Sequence, residues 1–444
     1  MDISLQLHRT MGPWQLWGIA VGLVISGDYF GWSYGWGHAG TLGFLITTAV
    51  VAVFYALFVL CYTELCCAIP HAGGPFAYAE VALGRGWAAL TGCAGLLAYV
   101  WVPPAVALAI GAYVGVNVPG LDARWGAWGA FVVFVGLNVR GVRVAATFEL
   151  VITLLAVFEL LVFAGVVAPG FEWANLVAGG WAGQDTLSWR VLPGVLAALP
   201  FAIWFFFGIE GAAMAAEEVK SPRAIPVALL WGLLTLVALA LLVMVMAGGV
   251  GDWRMLANLN DPLPQAMLRV VGGQSGWVHM LVGLGLLGLV ASFHGFLLSG
   301  SRQVYAMARE GFLPAWLGVL HARWRTPHRA LVVQGGVGAG LVALDGDVSW
   351  AGQSLTANLV TLSVLACLVM YAVSLVALLR LRAQQPDWPR PFVAPGHPWS
   401  AVLALTMALG FVMTVAWLNP LNSVLFAVTL GAMTLWVMRR RRAA

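Results

Sequence analysis

Long apolar segments dominate this chain of 444 residues and limit what it can fold into. Hydrophobic residues make up 61% of the sequence and charged residues 9%, whereas about 25% of the residues of a typical soluble domain are charged. A globule of this size would lack the polar surface that water requires, so lipid must surround most of the chain. The composition therefore excludes a soluble enzyme, a nucleic-acid-binding protein and a disordered scaffold.

The hydropathy pattern predicts an all-α integral membrane protein with about twelve transmembrane helices, since a helix of about 20 apolar residues crosses a bilayer. The predicted helices are 14–37, 41–69, 87–114, 126–138, 145–168, 194–216, 225–248, 277–300, 330–344, 355–379, 400–418 and 420–438. No polar linker sets off a soluble domain. Residues 1–444 are therefore predicted to form a single transmembrane domain.

Basic residues are distributed unevenly between the two sets of loops. Twelve helices place both termini on one side, and all of the Lys and Arg residues but four fall on that side. The four exceptions are Arg124, Arg190, Arg254 and Arg269. Because cytoplasmic loops carry an excess of Lys and Arg, both termini are predicted to be cytoplasmic. The expected location is the cell membrane, inner or plasma, as a multi-pass protein.

Two of the predicted helices are interrupted by glycines next to an acidic residue. The first contains Asp28 between Gly27 and Gly31, and the sixth contains Glu210 after Gly208. A broken helix leaves backbone groups unpaired, which the membrane tolerates only where they line a cavity within the protein. The breaks lie five helices apart, and this odd number inverts the second unit relative to the first. Such paired breaks indicate the central site of a transporter built from inverted repeats.

Several motifs follow one another along the chain in an order typical of one superfamily. Glu64 and PHAGGPFAY at 70–78 accompany helix 2, SRQVYA at 301–306 and GFLP at 311–314 follow helix 8, and RPFVAP at 390–395 precedes helix 11. In these features the chain resembles the amino acid–polyamine–organocation superfamily of permeases.

The resemblance implies a fold of the leucine-transporter type, with broken helices 1 and 6. Ten core helices would form a five-plus-five inverted repeat, with 14–168 as the first repeat and 194–379 as the second. Two peripheral helices would follow in 400–438. Within the superfamily, SGDYFGW at 26–32, with shorter motifs at 209–218 and 292–295, is similar to the ethanolamine permease branch. This likeness implies a transporter that imports ethanolamine or a related small amine.

The position of Asp28 favours the same class of substrate independently. Amino acid carriers of the superfamily usually have a break in helix 1 that is rich in glycine and serine and binds the substrate carboxylate. A buried Asp28 would repel that carboxylate by several kcal/mol at low dielectric, whereas it would attract an ammonium group. The alternative role for Asp28 is to cap the broken helix end. For Glu210 the alternative is to accept hydrogen bonds from the unwound backbone.

Aromatic residues cluster around both breaks, and each ring that faces the site can attract an ammonium group by about 0.5–2 kcal/mol. Trp204 and Phe207, one helical turn apart, are the first choices; most of the others are expected to pack or to face lipid. The predicted substrate-binding residues are Ser26, Gly27, Asp28, Trp32, Trp204, Phe207, Gly208 and Glu210.

Three polar residues in predicted helices are candidates for proton coupling: Glu210, Glu159 and His294. Glu159 either relays protons or pairs with a buried hydroxyl, and His294 either carries a proton or packs between helices. Glu149 lies ten positions before Glu159, a spacing that predicts nearly opposite faces of helix 5. Lys220 is the sole lysine of the sequence, so helix 5 lacks the lysine that some proton-coupled relatives carry.

Glu64, at the end of helix 2, is predicted to anchor an inner gate with Arg85 or another loop cation. No Cys/His spacing typical of a metal site and no Walker motif occurs in the sequence, so neither a metal nor a cofactor is expected. The expected partners are a small amine, the lipid bilayer and protons, without nucleic acid.

The sequence therefore predicts a secondary transporter for a small primary amine or amino alcohol that works by alternating access, linked to protons or driven by the membrane potential. A proton-coupled amino acid permease or exchanger is one alternative. An amine-gated channel or receptor is an alternative from another class. An intramembrane enzyme is excluded, because the chain has no HExxH motif and no credible Ser/His constellation.

The predicted topology can be tested with cysteines introduced one at a time at Asp185, Asp345 and Arg323. Asp185→Cys and Asp345→Cys should react with an impermeant maleimide added to intact cells, and Arg323→Cys only after permeabilisation. The parent chain, with its five native cysteines, gives the background labelling. The reverse pattern would invalidate the assignment of the basic loops to the cytoplasm.

Overall fold

The computed structural model describes residues 11–71, 73–140, 146–272, 276–346 and 349–443. Within these ranges the regular structure is helical, apart from isolated β-bridges. The α-helices are α1 Pro13–Val24, α2 Ser26–Tyr29, α3 Trp32–Ala68, α4 Pro75–Leu83, α5 Arg85–Asn117, α6 Ala123–Val139, α7 Ala146–Val167, α8 Trp173–Val177, α9 Leu192–Ala197, α10 Leu199–Trp204, α11 Ala224–Gly248, α12 Pro262–Val271, α13 Gly276–Arg309, α14 His328–Val342, α15 Leu355–Gln384, α16 Trp399–Leu418 and α17 Pro420–Ala443. Short 3₁₀ helices are Ala168–Gly170, Trp189–Val191, Ile209–Glu218, Trp253–Leu256 and Ala315–Gly318.

Each of the twelve predicted apolar segments coincides with helical structure. In the described part of the chain, nine helices are long and apolar enough to cross a membrane. The first crossing is assembled from α1, α2 and the start of α3, and the sixth from α9, α10 and the 3₁₀ helix that follows. The predicted start of helix 5 at 145 lies outside the described residues, and α7 begins at Ala146. The prediction of twelve crossings places both ends of the described chain on one face, the terminal face.

The first and second crossings meet within α3, where Gly40 interrupts the helix. Its φ of +70° and ψ of −179° are not helical. A β-carbon at this position would overlap the carbonyl oxygen of Gly180, so the close approach of this loop also requires glycine. The boundary predicted between 37 and 41 therefore corresponds to a sharp bend inside one continuous run of helical residues.

The helices differ in how much of their surface the protein itself covers. The most apolar stretch of α5 is 94% buried within the protein and that of α15 is 83% buried, whereas those of α16 and α17 are only 28% and 22% buried. The helices α13 and α15 both pack extensively against α5. The last two helices therefore lie at the periphery, where most of their apolar surface faces outward.

The N-terminal end of the described chain is joined to the segment that follows the sixth crossing. The amide of Met11 donates to the carbonyl of Glu218 at 3.0 Å, and the amide of Lys220 donates to the carbonyl of Met11 at 3.0 Å. Met11 and Val219 thereby form an isolated parallel β-bridge on the terminal face. The start of α1 is thus fixed next to the end of the broken sixth helix.

Close backbone contact between α5 and α6 predicts an asymmetric response to alanine substitution. Gly111→Ala should lower the stability by about 1–3 kcal/mol, because its β-carbon would overlap the backbone carbonyl of Ala123. Gly115→Ala is the control: one turn along α5, its β-carbon would meet only the Leu121 carbonyl oxygen at 3.6 Å. Thermal unfolding in detergent should show the lower midpoint only for Gly111→Ala, and equal midpoints would contradict the packing.

Candidate transport site

The first crossing loses its helical path after Tyr29, the residue that follows Asp28. Residues Ser26–Tyr29 form a single turn, in which the Asp28 amide donates to the Ile25 carbonyl at 3.0 Å. Phe30 is extended, and Gly31 has a φ of +92° before the helix resumes at Trp32. A positive φ of this size is costly for other residues, so Gly31 sets the position of the break.

The sixth crossing breaks in a corresponding way after α10. The α-helix ends at Trp204, and Gly208 adopts a φ of +109°. The chain continues as a 3₁₀ helix from Ile209 to Glu218. Because 3₁₀ helices are seldom longer than four residues, this ten-residue stretch marks an irregular segment at the level of the break.

The two breaks contact each other through glycine. A β-carbon at Gly27 would lie 2.9 Å from both the Phe205 Cα and the Trp204 carbonyl oxygen. A β-carbon at Gly31 would lie 2.6 Å from Cδ1 of the Trp204 indole. The rings of Phe30 and Trp204 meet edge to face with centroids 5.7 Å apart. Small residues at these positions therefore bring the irregular backbones of both crossings together.

Asp28 is fully buried beside this contact, with 0% of its surface exposed. Neither of its carboxylate oxygens has a hydrogen-bond partner among the described residues, and none of the ion pairs between these residues includes it. The indole Nε1 of Trp204, which packs against Gly31 and Phe30, is also buried without an acceptor among the described residues. Buried polar atoms are nearly always paired, so these atoms mark a place where a ligand can supply the partner.

Glu210 is buried at the second break in a more polar setting than Asp28. Its Oε2 accepts hydrogen bonds from the Tyr371 hydroxyl at 2.6 Å and from the Gly208 amide at 3.1 Å. Tyr62 donates to the backbone carbonyl of Glu210 at 3.4 Å, and Tyr99 lies beside its carboxyl group. One oxygen of Glu210 thus stabilises the unwound backbone, while Oε1 has no partner among the described residues.

Three tyrosines surround Glu210, and none of them was predicted from the sequence. They lie on α3, α5 and α15, so no local spacing relates Tyr62, Tyr99 and Tyr371 to the acid. Their one signal in the sequence is a hydroxyl group within an apolar helix, where a buried hydroxyl needs a partner. That signal identifies a polar residue in the membrane without saying which acid it binds.

The remaining substrate-binding predictions fall on residues that pack around the breaks. Ser26 Oγ lies 2.8 Å from Ser292 Oγ, which in turn donates to the Leu23 carbonyl at 2.6 Å. Trp32 donates from Nε1 to the backbone carbonyl of Asp28 at 3.1 Å. Phe207 contacts Trp204, with ring centroids 6.1 Å apart. Ser26 and Trp32 therefore hold the first break in shape, and their polar groups are already paired within the protein.

Glu159 lies close to the first break. Its carboxyl group is next to the Tyr29 hydroxyl, which itself donates to the Ala156 carbonyl at 3.0 Å. Its Oε2 has no partner among the described residues. The expectation that Glu149 and Glu159 face opposite sides is wrong: Glu149 also lies against the first crossing, with Oε1 2.8 Å from the β-carbon position of Gly22. Ten helical residues leave two side chains only about 80° apart, so both can face one neighbouring helix.

His294 is half-buried on α13, and no hydrogen bond or ring contact among the described residues joins it to either break. Its neighbours point elsewhere: Phe293 packs against Phe131 with ring centroids 4.9 Å apart, and Ser292 binds the first break. The structure thus brings Asp28, Glu159 and Glu210 to the broken crossings and leaves His294 outside these contacts.

Glu64 is the centre of a buried ionic cluster, but Arg85 is not part of it. Arg382 donates to both carboxylate oxygens of Glu64, with Nε at 2.7 Å from Oε1. Arg390 approaches Oε1 at 3.3 Å, and the Ala394 amide donates to Oε2 at 2.7 Å. Of the two predicted kinds of partner, Arg85 does not pair with Glu64, whereas another loop cation, Arg390, does. Arg85 begins α5, its side chain is 75% exposed, and its nearest carboxylate is that of Glu80 at 4.0 Å.

The long apolar helices, the two breaks and the buried acids are features of a membrane transporter. A family model described as amino acid permease matches residues 11–438. The chain belongs to this family of the amino acid–polyamine–organocation superfamily, whose members are permeases and not enzymes. It is accordingly a multi-pass membrane protein that handles small molecules within the bilayer.

Three relatives align with nearly the whole chain. An uncharacterized transporter of Rhizobium meliloti is 30% identical, over 91% of this chain and 86% of its own. A branched-chain amino acid permease of Bacillus subtilis is 24% identical, over 93% of this chain and 89% of its own. A methylthioribose transporter of the same species is 25% identical, over 99% of this chain and 95% of its own. Relatives of similar identity thus have names that refer to chemically different cargo.

The two carboxylates Glu64 and Glu80 should respond differently to neutralisation. Glu64→Gln should lower the stability by about 3–5 kcal/mol, because it leaves two arginines without their buried partner. Glu80→Gln is the matched control and should cost about 1 kcal/mol or less, since its pair with Arg85 is exposed. Thermal unfolding in detergent measures both, and similar midpoints for the two variants would contradict the assigned cluster.

Proposed function

We propose that this permease imports a small primary amine or amino alcohol, with ethanolamine as the best candidate, by alternating access. The observation that carries the proposal is Asp28, a fully buried carboxylate at the contact between the two breaks without a partner among the described residues. An isolated buried charge is very costly, and a substrate ammonium group would remove that cost by forming a charge-assisted hydrogen bond. Intramembrane acids of this kind are functional by default.

The surroundings of Asp28 also favour a substrate without a carboxylate. The nearest irregular backbone belongs to Trp204 and Phe205, and the described part of this region supplies no Lys or Arg to neutralise a second negative charge. A substrate carboxylate next to Asp28 would be repelled in a medium of low dielectric. The indole of Trp204 can attract the ammonium group through its ring face and can donate from Nε1 to a substrate hydroxyl. Ethanolamine carries both groups.

A mechanism of alternating access is supported by how the site is closed. Asp28 and Glu210 are both 0% exposed, so substrate can enter or leave only after helices move. On the terminal face, Glu64 links the end of α3 to the end of α15 and to the loop at 385–398. We assign this cluster to a gate that holds the terminal face closed. Glu210 and Glu159 are the proposed proton-coupling residues, and His294 has no contact that favours this role.

The proposal also includes the arrangement of the protein in the membrane. The basic loops favour a cytoplasmic terminal face and insertion into the inner or plasma membrane. The two breaks favour inverted repeats at 14–168 and 194–379, followed by the peripheral helices in 400–438. On this view the first crossing carries the ammonium site, and its counterpart in the second repeat carries Glu210.

An amino acid permease is the second candidate function, and the likeness to the branched-chain permease of Bacillus subtilis favours it. It requires a protonated Asp28, which could then donate a hydrogen bond to a substrate carboxylate instead of repelling it. A competition panel in liposomes with ethanolamine, propylamine, choline, alanine and putrescine separates the two. Ethanolamine and propylamine should compete best, and a preference for alanine would contradict the amine assignment while leaving the fold unaffected.

The charge of Asp28 can be tested without changing the size of the side chain. Asp28→Asn should weaken ethanolamine binding at least about tenfold, because a charge-assisted hydrogen bond is worth about 1.5–3 kcal/mol. Asp252→Asn is the control, since Asp252 pairs with Arg254 in an exposed loop. Binding to purified protein is measured together with the unfolding midpoint. Normal binding with a lower midpoint in Asp28→Asn would identify the aspartate as a cap of the broken helix.

A further inference from the structure

Glu149, like Glu159, lies on α7 and is buried against the first crossing, between the break and the terminal face. Glu149 has 8% of its surface exposed, and its Oε1 would lie 2.8 Å from a β-carbon at Gly22. Next to it, Thr153 would contact the same β-carbon and donates from Oγ1 to the Gly18 carbonyl at 2.9 Å. The carboxyl group of Glu149 is therefore enclosed between α7 and α1, on the terminal side of Asp28.

No group among the described residues forms a hydrogen bond or an ion pair with Glu149. The elements that pack closely against α7 are α1, α11, α12, α13 and the turn Ala168–Gly170. Of these, α1, α11 and the turn contain no titratable side chain. The titratable groups of the other elements and of α7 itself are Glu159, Arg269, His279, His294, Arg302, Tyr305 and Arg309. None of them contacts Glu149.

Most of these groups are engaged elsewhere. Arg302 pairs with Glu218 at 3.7 Å, and Arg269 donates to the Asp252 carbonyl at 3.0 Å. Glu159 lies beside Tyr29, about 15 Å further along α7 at 1.5 Å per residue. Among the described residues, no positively charged side chain pairs with Glu149 to stabilise its ionised form.

Acids in the first turn of a helix are common, because they interact favourably with its free amide groups. Glu149 does lie in the first turn of α7. Its carboxyl group nevertheless points across to Gly22, and no backbone amide of the described residues donates to it. A helix-start role leaves this orientation unexplained, whereas a role in transport accounts for it.

We propose that Glu149 carries the transported proton between the central site and the cytoplasm. A largely buried carboxylate without a partner is costly to ionise, so we expect Glu149 to release its proton when α1 separates from α7 and the carboxyl group becomes more exposed to water. The O–H bond then breaks towards cytoplasmic water, and the carboxylate takes up the next proton from the central site before α1 covers it again. Gly22 and Asp28 are six residues apart, about 9 Å along a helix, so Glu149, which faces Gly22 from α7, lies about one and a half turns from Asp28 along the first crossing.

This inference rests on the proposed import of an amine, and two assays keep the two apart. Ethanolamine exchange in liposomes at equal pH on both sides measures binding and alternating access. Accumulation driven by an imposed pH gradient, without sodium, measures proton coupling. Wild-type protein should show both activities. Absent exchange would contradict the amine assignment, and the same assays with alanine would then test Glu149. If exchange occurs but the imposed pH gradient drives no accumulation, or if accumulation requires sodium, the proton role alone would be overturned.

The decisive variant is Glu149→Gln, which keeps the size of the side chain and one oxygen that can accept hydrogen bonds but removes the ionisable group. It should exchange ethanolamine within about twofold of wild type and lose at least tenfold of the accumulation driven by the gradient. Thr153→Val is the matched control, because it disturbs the same contact with α1 without touching a carboxyl group. It should keep the two activities in the wild-type ratio.

The conservative variant Glu149→Asp retains a carboxyl group and should recover a measurable response to the gradient. This rescue keeps the test valid even if Glu149→Gln folds poorly. Accumulation at the wild-type level in Glu149→Gln would overturn the proposal. A loss of gradient response in Thr153→Val equal to that in Glu149→Gln would also overturn it, because packing alone would then explain the effect.

Discussion

The contact between the two broken crossings is the constraint on which the rest of the structure depends. Lipid does not tolerate unpaired backbone groups, so two interrupted helices must cover each other inside the protein. Gly27 makes this possible, since any side chain there would collide with the backbone of Trp204 and Phe205. The helices α5, α13 and α15 are in turn among the most enclosed elements, as expected for a shell that keeps lipid away from such a contact.

The buried acids Glu64, Glu210 and Asp28 differ mainly in what their oxygens bind. Glu64 is saturated by two arginines and a backbone amide, so it acts as a fixed joint between α3, α15 and the loop that follows. Glu210 is half satisfied by Tyr371 and Gly208, whereas both oxygens of Asp28 lack a partner in the described chain. Glu64 at the terminal face is thus saturated, whereas both acids at the breaks keep unpaired oxygens, as expected of an anchor and of a binding site respectively.

The sequence was sufficient to locate the twelve crossings and both breaks, because hydropathy and glycine placement are local properties. It was insufficient for the partners of the acids. Glu64 and Arg382 are 318 positions apart, and Glu210 and Tyr371 are 161 apart, so only the packing of distant helices relates them. Arg85 was one of the two kinds of partner predicted for Glu64. The structure places it on an exposed helix start instead, where charge needs no buried partner.

The β-bridge between Met11 and Val219 has a mechanical consequence. It joins the chain just before α1 to the chain just after the broken sixth helix, through hydrogen bonds of both the amide and the carbonyl of Met11. Because these are backbone hydrogen bonds, the link between the start of α1 and the end of the sixth crossing does not depend on which side chains stand there. The two broken crossings are thus connected through their main chains at the terminal face, and substitutions that preserve this backbone pairing leave the connection in place.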